Sequence, residues 1–259
     1  MKGEKRVESL GTIAELKKML QGEESLSEEL EKKLASDGRL SVQKLYRDLL
    51  IKQQKKNDEL KRLKKLFLWE ESLIASAQPV AGVDEAGRGP LAGPVTAAAV
   101  ILDSKICLPG LNDSKKITAK TRDRLSRLIK EKAVAWSVGW ATVEEIDCLN
   151  IHNAGFLAMK RAIAGLTVRP NTVLVDGFEI PEFSLPQIAI QKGDSISASI
   201  AAASIIAKVA RDKVMEELHQ KYPVYGFLKH KGYPTKEHLN AIKLNGSSPV
   251  HRQTFKGVM

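Results

Sequence analysis

Two adjacent carboxylates, Asp84 and Glu85, run straight into a glycine-clasped arginine in the segment Ala81-Gly-Val-Asp-Glu-Ala-Gly-Arg-Gly-Pro-Leu-Ala-Gly93. Carboxylates are the ligands that hard divalent cations take, and an arginine between glycines suits a sugar-phosphate backbone. Gly87 and Gly89 carry no Cβ, so a bulky ligand can come close to the main chain and accept hydrogen bonds from its N–H groups. A polar strand-to-turn boundary without chemistry would use similar residues. Arg88 and the flanking apolar strands favour a site.

Two further acids join the pair. Asp176 ends the apolar run Thr172-Val-Leu-Val-Asp176, and Asp194 stands in Gln191-Lys-Gly-Asp194 before a long helical stretch, where an aspartate can be either a ligand or a helix cap. Four carboxylates in one hollow repel one another unless cations share the space. Oxygen ligands without His or Cys point to Mg²⁺ or Mn²⁺ rather than zinc. Two such ions about 4 Å apart can activate an attacking water and stabilise the leaving oxygen of a phosphodiester. Asp103, Glu179, Glu182 and Asp212 compete with these four, but each has a surface or salt-bridge explanation; Asp212 also suits a place just behind the site.

The elements that must position these acids are short strands alternating with helices from Val80 onward. Strands are expected at Val80–Asp84, Pro94–Leu102, Val134–Val143, Thr172–Asp176 and Ile188–Gln191. Helices are expected at Thr118–Lys132, about Asn153–Leu166 and Ser197–Lys221. The continuous apolarity of Thr172–Asp176 predicts a strand buried on both faces, lying parallel beside the first. Asp84 and Asp176 then share the carboxyl edge of an open α/β sheet, where ligands bind. Neighbouring residues of a regular strand face opposite ways, so the chain is expected to bend at the glycines if Asp84 and Glu85 serve one site. The small residues from Ala198 to Ala207 read as close packing on the sheet.

Residues 1 to about 75 have another texture, with Lys, Glu and Leu at helical spacing and few glycines or β-branched residues. Two or three helices are expected. Thr12-Ile-Ala-Glu15 and Ser25-Leu-Ser-Glu28 read as capping boxes, Gln53–Lys65 as a solvated helix face, and Ser76-Ala-Gln-Pro79 as the junction. The domains expected are 1–75, a helical extension that could add affinity for a polyanion, and 76–259, a catalytic domain ending in a basic helical region. A chain starting near Gln78 would keep Asp84, Glu85, Asp176 and Asp194 and the strand order that holds them, and is expected to fold and retain the chemistry.

Composition narrows the partners. In 259 residues, 41 lysines and arginines face 31 acids, a net charge of +10 that favours a polyanion such as nucleic acid. Cys107 and Cys148 form no zinc or disulfide pattern, which suits a reducing cytoplasm. No apolar stretch is long enough to span a membrane and the charged start is not a secretory signal, so no membrane partner is expected.

The motifs, taken in order, resemble the ribonuclease HII family, the type 2 ribonucleases H. The resemblance rests on Asp84-Glu-Ala-Gly-Arg-Gly-Pro90, Asp113-Ser-Lys-Lys116, Asp176-Gly177, Lys192-Gly-Asp194, Ala201-Ala-Ala-Ser-Ile-Ile-Ala-Lys-Val-Ala-Arg-Asp212 and His230-Lys-Gly-Tyr-Pro-Thr235, and spans about residues 80–257. It implies a ribonuclease H-like mixed five-stranded sheet flanked by helices, with the helical front as an N-terminal extension. It also implies a monomeric endonuclease that cuts the RNA strand of RNA–DNA hybrids. Such an enzyme nicks duplex DNA 5′ of embedded ribonucleotides by two-metal-ion hydrolysis, leaving 3′-hydroxyl and 5′-phosphate ends. The metal ligands implied are Asp84, Glu85, Asp176 and Asp194. Gly87, Arg88 and Gly89 would read the 2′-hydroxyl, the group that separates RNA from DNA. Tyr233 would pack on the following deoxyribose, and Lys115 and Lys116 would meet the backbone.

Ribonuclease HIII, the sister type, lacks the Gly-Arg-Gly triplet after its Asp-Glu pair. Two departures from the family pattern stand out: a front longer than the minimal family core, and Ile117 where Leu is usual, a volume-conserving change. Two rivals remain on residues alone. One is a metal-dependent DNA nuclease or recombinase with a related sheet; the other is a non-catalytic nucleic-acid binder whose acids are structural.

Overall fold

The computed structural model describes residues 12–20, 27–77 and 79–258. The chain divides into two compact units, Met1–Lys61 and Arg62–Met259. The boundary lies upstream of the junction expected near residue 75.

In the first unit, α1 (Ile13–Met19) opens on the expected capping box. Thr12 Oγ1 accepts from the Glu15 N–H, and Glu15 Oε2 accepts from the Thr12 N–H. Ser25 lies outside the described residues. α2 (Glu28–Ser36) is instead capped by Ser27, which accepts from the Leu30 N–H, so that helix starts later than a cap at Ser25 would set it. Leu16, Leu34 and Val42 form a small core with Ile13, Leu30 and Leu45, the last on α3 (Leu40–Leu66). With α4 (Leu68–Ala77), the front holds four helices among the described residues, one more than the upper expectation.

The second unit is built on a mixed sheet of five strands in the order β3-β2-β1-β4-β5. They are β1 (Val80–Ala86), β2 (Val95–Ile101), β3 (Ala135–Ala141), β4 (Thr172–Asp176) and β5 (Gln187–Ile190). β1 pairs antiparallel with β2 and parallel with β4, and β4 is parallel to β5. Alternation along β2 explains the layers. Ala98 and Val100 pack with α5 (Ala119–Lys132) and α8 (Ala198–Lys221), while Ala97 and Ala99 face α7 (Ile151–Ala164). The sheet is thus covered on both faces, the expected α/β arrangement of a mixed five-stranded sheet flanked by helices. Small residues let α8 sit close: a Cβ on Gly82 would lie 2.2 Å from the Ser199 carbonyl carbon.

Several boundaries differ from expectation. β1 runs on to Ala86, because Glu85 and Ala86 keep their ladder partners Ala97 and Thr96, and the chain turns only at Gly87, whose φ is +99°. The bend thus falls at the glycines, as expected, and the strand runs two residues past the expected end at Asp84. β3 stops at Ala141, and residues read as its end form α6 (Val143–Leu149), opened by a Thr142–Glu145 capping box that the apolar run concealed. α7 begins at Ile151, since Asn150 caps it by accepting from the His152 and Asn153 N–H groups. The stretch Gln53–Lys65 is exposed or half-exposed as expected except at Leu63, which with Leu66 and Phe67 just beyond it is buried in the α5–α8 core of the second unit. α9 (Phe227–His230) and α10 (Lys236–Asn245) complete the unit. Among the described residues no helix is long and apolar enough to cross a membrane.

Candidate active site

The parallel register Val83↔Val175 sets Asp84 and Asp176 side by side at the carboxyl ends of β1 and β4. Beyond β5, Lys192 takes a left-handed conformation (φ +56°) and starts the 3₁₀ turn Gly193–Ser195. The Gly193 N–H donates to Asp176 Oδ1 at 2.7 Å, which ties that turn and its Asp194 to the end of β4. Asp194 is buried, and the cap of α8 is Ser197, whose hydroxyl accepts from the Ile200 N–H. Asp194 is accordingly not a helix cap.

Electrostatics shows which acids share the hollow. Burial raises the Asp84 carboxyl well above the usual carboxylate range, and Glu85 and Asp176 push it further up. Glu85 is raised by burial and by Asp176, against the pull of Arg88 and Lys115. Asp176 is raised by burial while the Gly193 N–H and Lys115 oppose the rise. Asp194 is raised by burial, then by Asp113 and Asp176. Burial pulls Lys115 down, but Asp84, Asp113, Asp194 and Glu85 together outweigh it and raise its ammonium. Cations are what such a group of acids lacks, and its donors are all hard oxygens. Among the described residues, however, no three His, Cys, Asp or Glu side chains converge closely enough to hold a metal ion as they stand. The acids are neighbours at electrostatic range, not a closed ligand cage.

The remaining sequence candidates fall around this hollow. Arg88 reaches His152 Nε2 at 2.8 Å and lies 3.5 Å from Glu85 Oε1. Gly87 is buried and could not be another residue: besides its positive φ, a Cβ there would lie 2.1 Å from Arg211 Nε. Gly89 is exposed, and its missing Cβ would be 3.7 Å from the ring of Tyr233. Tyr233 is itself 39% exposed, with Lys208 Nζ 5.8 Å from its ring centroid, so it presents a face rather than filling the core. Lys116 Nζ donates to Ser195 Oγ at 2.9 Å and lies 3.6 Å from Asp113. Both lysines thus stand against the acids and the 3₁₀ turn. The competing acids lie elsewhere or are engaged: Asp103 accepts from the Lys105 N–H, Asp212 from Lys208, and Glu179 and Glu182 are exposed.

Three participants were not singled out from the sequence. Asp113 is a fifth acid, whose charge and hydrogen bond help raise Asp194; its motif Asp113-Ser-Lys-Lys116 draws attention to the lysines rather than to its own carboxylate. His152 carries no sequence signal, and only the fold sets it against Arg88. Phe178, 55% exposed, meets His152 edge-on with centroids 5.9 Å apart and adds an aromatic surface beside Arg88.

The family model for ribonuclease HII matches residues 81–258, and that for the ribonuclease HII N-terminal domain matches residues 12–74. The long front is therefore itself a family feature. A ribonuclease HII from Pelotomaculum thermopropionicum is 50% identical over 250 residues, covering 95% of this chain and 94% of the relative. One from Desulfitobacterium hafniense is 49% identical over 259 residues, covering 100% and 97%. Among solved structures, the ribonuclease H2 from Pyrococcus horikoshii superposes with a TM-score of 0.59 at 30% identity, covering 69% of this chain and 94% of that one. The ribonuclease HII of Archaeoglobus fulgidus, solved in complex with PCNA, gives 0.55 at 27% identity, covering 68% and 95%.

Proposed function

The chain belongs to the ribonuclease HII family and is a nuclease, and from that premise we propose that it cuts the RNA strand of RNA–DNA hybrids and nicks duplex DNA 5′ of embedded ribonucleotides. Asp84, Glu85, Asp176 and Asp194 are the residues we assign to Mg²⁺ or Mn²⁺. Their hard-oxygen chemistry and mutual repulsion fit such ions. When bound, divalent cations would supply an activated water and charge stabilisation on the leaving oxygen, giving 3′-hydroxyl and 5′-phosphate ends. The observation that carries the reading is the placement of Asp84 and Asp176 at one sheet edge, with Asp194 tied to it by the Gly193–Asp176 hydrogen bond.

The chain's own residues do the rest. The N–H groups of Arg88 and Gly89 and the ring of Tyr233 flank the place where a sugar would lie, and a hydroxyl there would accept or donate where hydrogen would not. Arg88 meets a phosphate or sugar oxygen by turning from His152 and Glu85. Lys115 and Lys116 hold the acids' charge in check and are available to phosphate when cations take over that task. The surplus of basic residues supports a nucleic-acid duplex as partner.

The test is a labelled DNA duplex with one ribonucleotide, offered to the protein and to Asp84→Asn in Mg²⁺, in Mn²⁺ and in EDTA. Cleavage 5′ of the ribonucleotide that needs a divalent cation and is lost in Asp84→Asn is the expected result. Cutting of all-DNA duplex would favour the DNA-nuclease reading, and binding without cutting would favour a non-catalytic binder. Near-normal turnover by Asp84→Asn in saturating Mn²⁺ would refute the ligand assignment.

A further inference from the structure

Two arginines, Arg211 and Arg252, are fully buried. Arg252 spends all five of its guanidinium N–H donors on carbonyls of one loop. Nε donates to Gly93 at 2.9 Å, Nη1 to Arg88 at 3.1 Å and Pro90 at 2.7 Å, and Nη2 to Gly87 at 2.6 Å and Pro94 at 3.2 Å. Its main-chain N–H adds Leu91 at 2.8 Å. Arg211, from α8, takes Ala92 at 3.1 Å, Pro94 at 3.2 Å and, beyond the loop, Lys231 at 3.0 Å. Every carbonyl from Gly87 to Pro94 except that of Gly89 therefore accepts from one of these two residues. Among the described residues neither guanidinium forms a salt bridge.

Burying a guanidinium without a carboxylate is costly, and burial holds Arg252 down at about 9 and Arg211 at about 10. A loop that merely needed closing would not require it. The geometry explains what is gained. In a trans peptide the carbonyl and the following N–H point opposite ways. Drawing the Gly87 carbonyl inward turns the Arg88 N–H outward, and drawing the Arg88 carbonyl inward turns the Gly89 N–H outward. Among the described residues those two N–H groups donate to no protein acceptor.

We propose that Arg252, backed by Arg211, is a positioning residue for ribonucleotide recognition: its guanidinium orders the Gly87–Gly89 turn so that two adjacent N–H groups face the substrate sugar. The inference rests on the functional reading of that turn. Lysine cannot replace arginine here, because an ammonium has three donors and no planar fork to serve five carbonyls.

The test compares the wild-type protein with Arg252→Lys and Arg252→Met on the one-ribonucleotide duplex, with hydrogen–deuterium exchange on peptides covering 86–95 and 172–176. For Arg252→Lys we expect KM to rise about tenfold or more with kcat within about threefold, and binding of all-DNA duplex to be unchanged. Exchange should quicken over 86–95 and stay slow over 172–176; Arg252→Met should do the same more severely. Wild-type KM in Arg252→Lys, equal losses on both duplexes, or quickened exchange across both peptides would overturn the proposal, as would failure of both variants to fold. If the wild-type protein leaves the ribonucleotide duplex uncut, the functional reading fails instead, and exchange over 86–95 still decides whether Arg252 orders the loop.

Discussion

At the scale of single residues, the candidate site separates into acids that share a hollow and a turn that faces a sugar. Tyr233 belongs to the second group, since its exposed ring lies over Gly89 rather than against the acids. Tyr233→Ala should lower kcat/KM on the one-ribonucleotide duplex by about tenfold to a hundredfold, matching loss of one stacking contact of about 1–3 kcal/mol. Affinity for all-DNA duplex, measured at the same salt, should hold; equal losses would make Tyr233 a general contact. Behind it, His238 Nδ1 meets the Tyr233 carbonyl at 3.0 Å and His238 Nε2 meets His251 Nε2 at 3.1 Å. His251 Nδ1 accepts from the Ser248 N–H at 3.0 Å, so its Nε2 carries the proton and donates to His238. Burial, then His238, lowers His251 to about 4 from 6.5. Its folded value lies below the unfolded one, so the unfolded chain binds the proton first as pH falls. Stability should be level above about pH 6.5 and decline toward pH 4, by on the order of 3 kcal/mol from this group. Urea midpoints across that range for the protein and for His251→Asn check the sign; an equally steep decline in the variant would remove His251 as its source.

At the scale of elements, α8 carries the most consequence, because its start follows the turn that holds Asp194. Glu70 of α4 is buried there, and its Oε1 accepts from Ser197 Oγ at 2.7 Å and from the Ser199 N–H at 2.8 Å. A carboxylate at a helix N-terminus satisfies free N–H donors and meets the positive end of the helix dipole. Its second oxygen, Oε2, is buried and has no partner. Glu70→Ala should cost about 2–3 kcal/mol, since it strands a hydroxyl and an N–H once bonded to a charge. Urea unfolding with unchanged slope should show this as a lower midpoint; an unaltered midpoint would mean that the helix start is held by Ser197 alone. The helical texture of the front was legible from the sequence, but a separate helix at Leu68–Ala77 was not expected. That a glutamate in it caps a helix over a hundred residues away was not legible either, because nothing local to either segment records the meeting.

At the scale of the whole molecule, the compact units divide at Lys61 and Arg62, and Leu63, Leu66, Phe67 and Glu70 belong to the second. A chain starting at Arg62 should fold and cleave a saturating hybrid at the full-length single-turnover rate. One starting at Gln78 keeps Asp84, Glu85, Asp176 and Asp194 but loses three buried apolar side chains and the Glu70 carboxylate that accepts from Ser197 and Ser199 at the start of α8. It should unfold at a lower temperature, by more than 10 °C, since each large buried side chain contributes about 1.5–3 kcal/mol. Circular dichroism melts and single-turnover assays on the two truncations decide this. Equal stability of both would show that the second unit needs nothing before the sheet.

The strands, the parallel pairing of the first with the fourth and the acids near their ends were legible because apolar runs, glycine turns and carboxylates are local signals, whereas the mixed sheet was implied by the family resemblance. Asp84 and Asp176 met as expected because a parallel register joins strand ends whose positions the sequence already marks. Local pattern was weakest where two readings share one composition. The strand expected to end at Asp84 runs on to Ala86, and Val143, expected to end a strand, opens a helix. Only the tertiary structure could place Asp113 beside Asp194, His152 beside Arg88, and Arg252 beneath the turn at Gly87. These pairings join residues 64 to 165 positions apart, or acids on separate loops. A buried guanidinium looks, in a sequence, like any surface arginine. Its meaning comes from the carbonyls around it, and those are gathered by the closing of the fold.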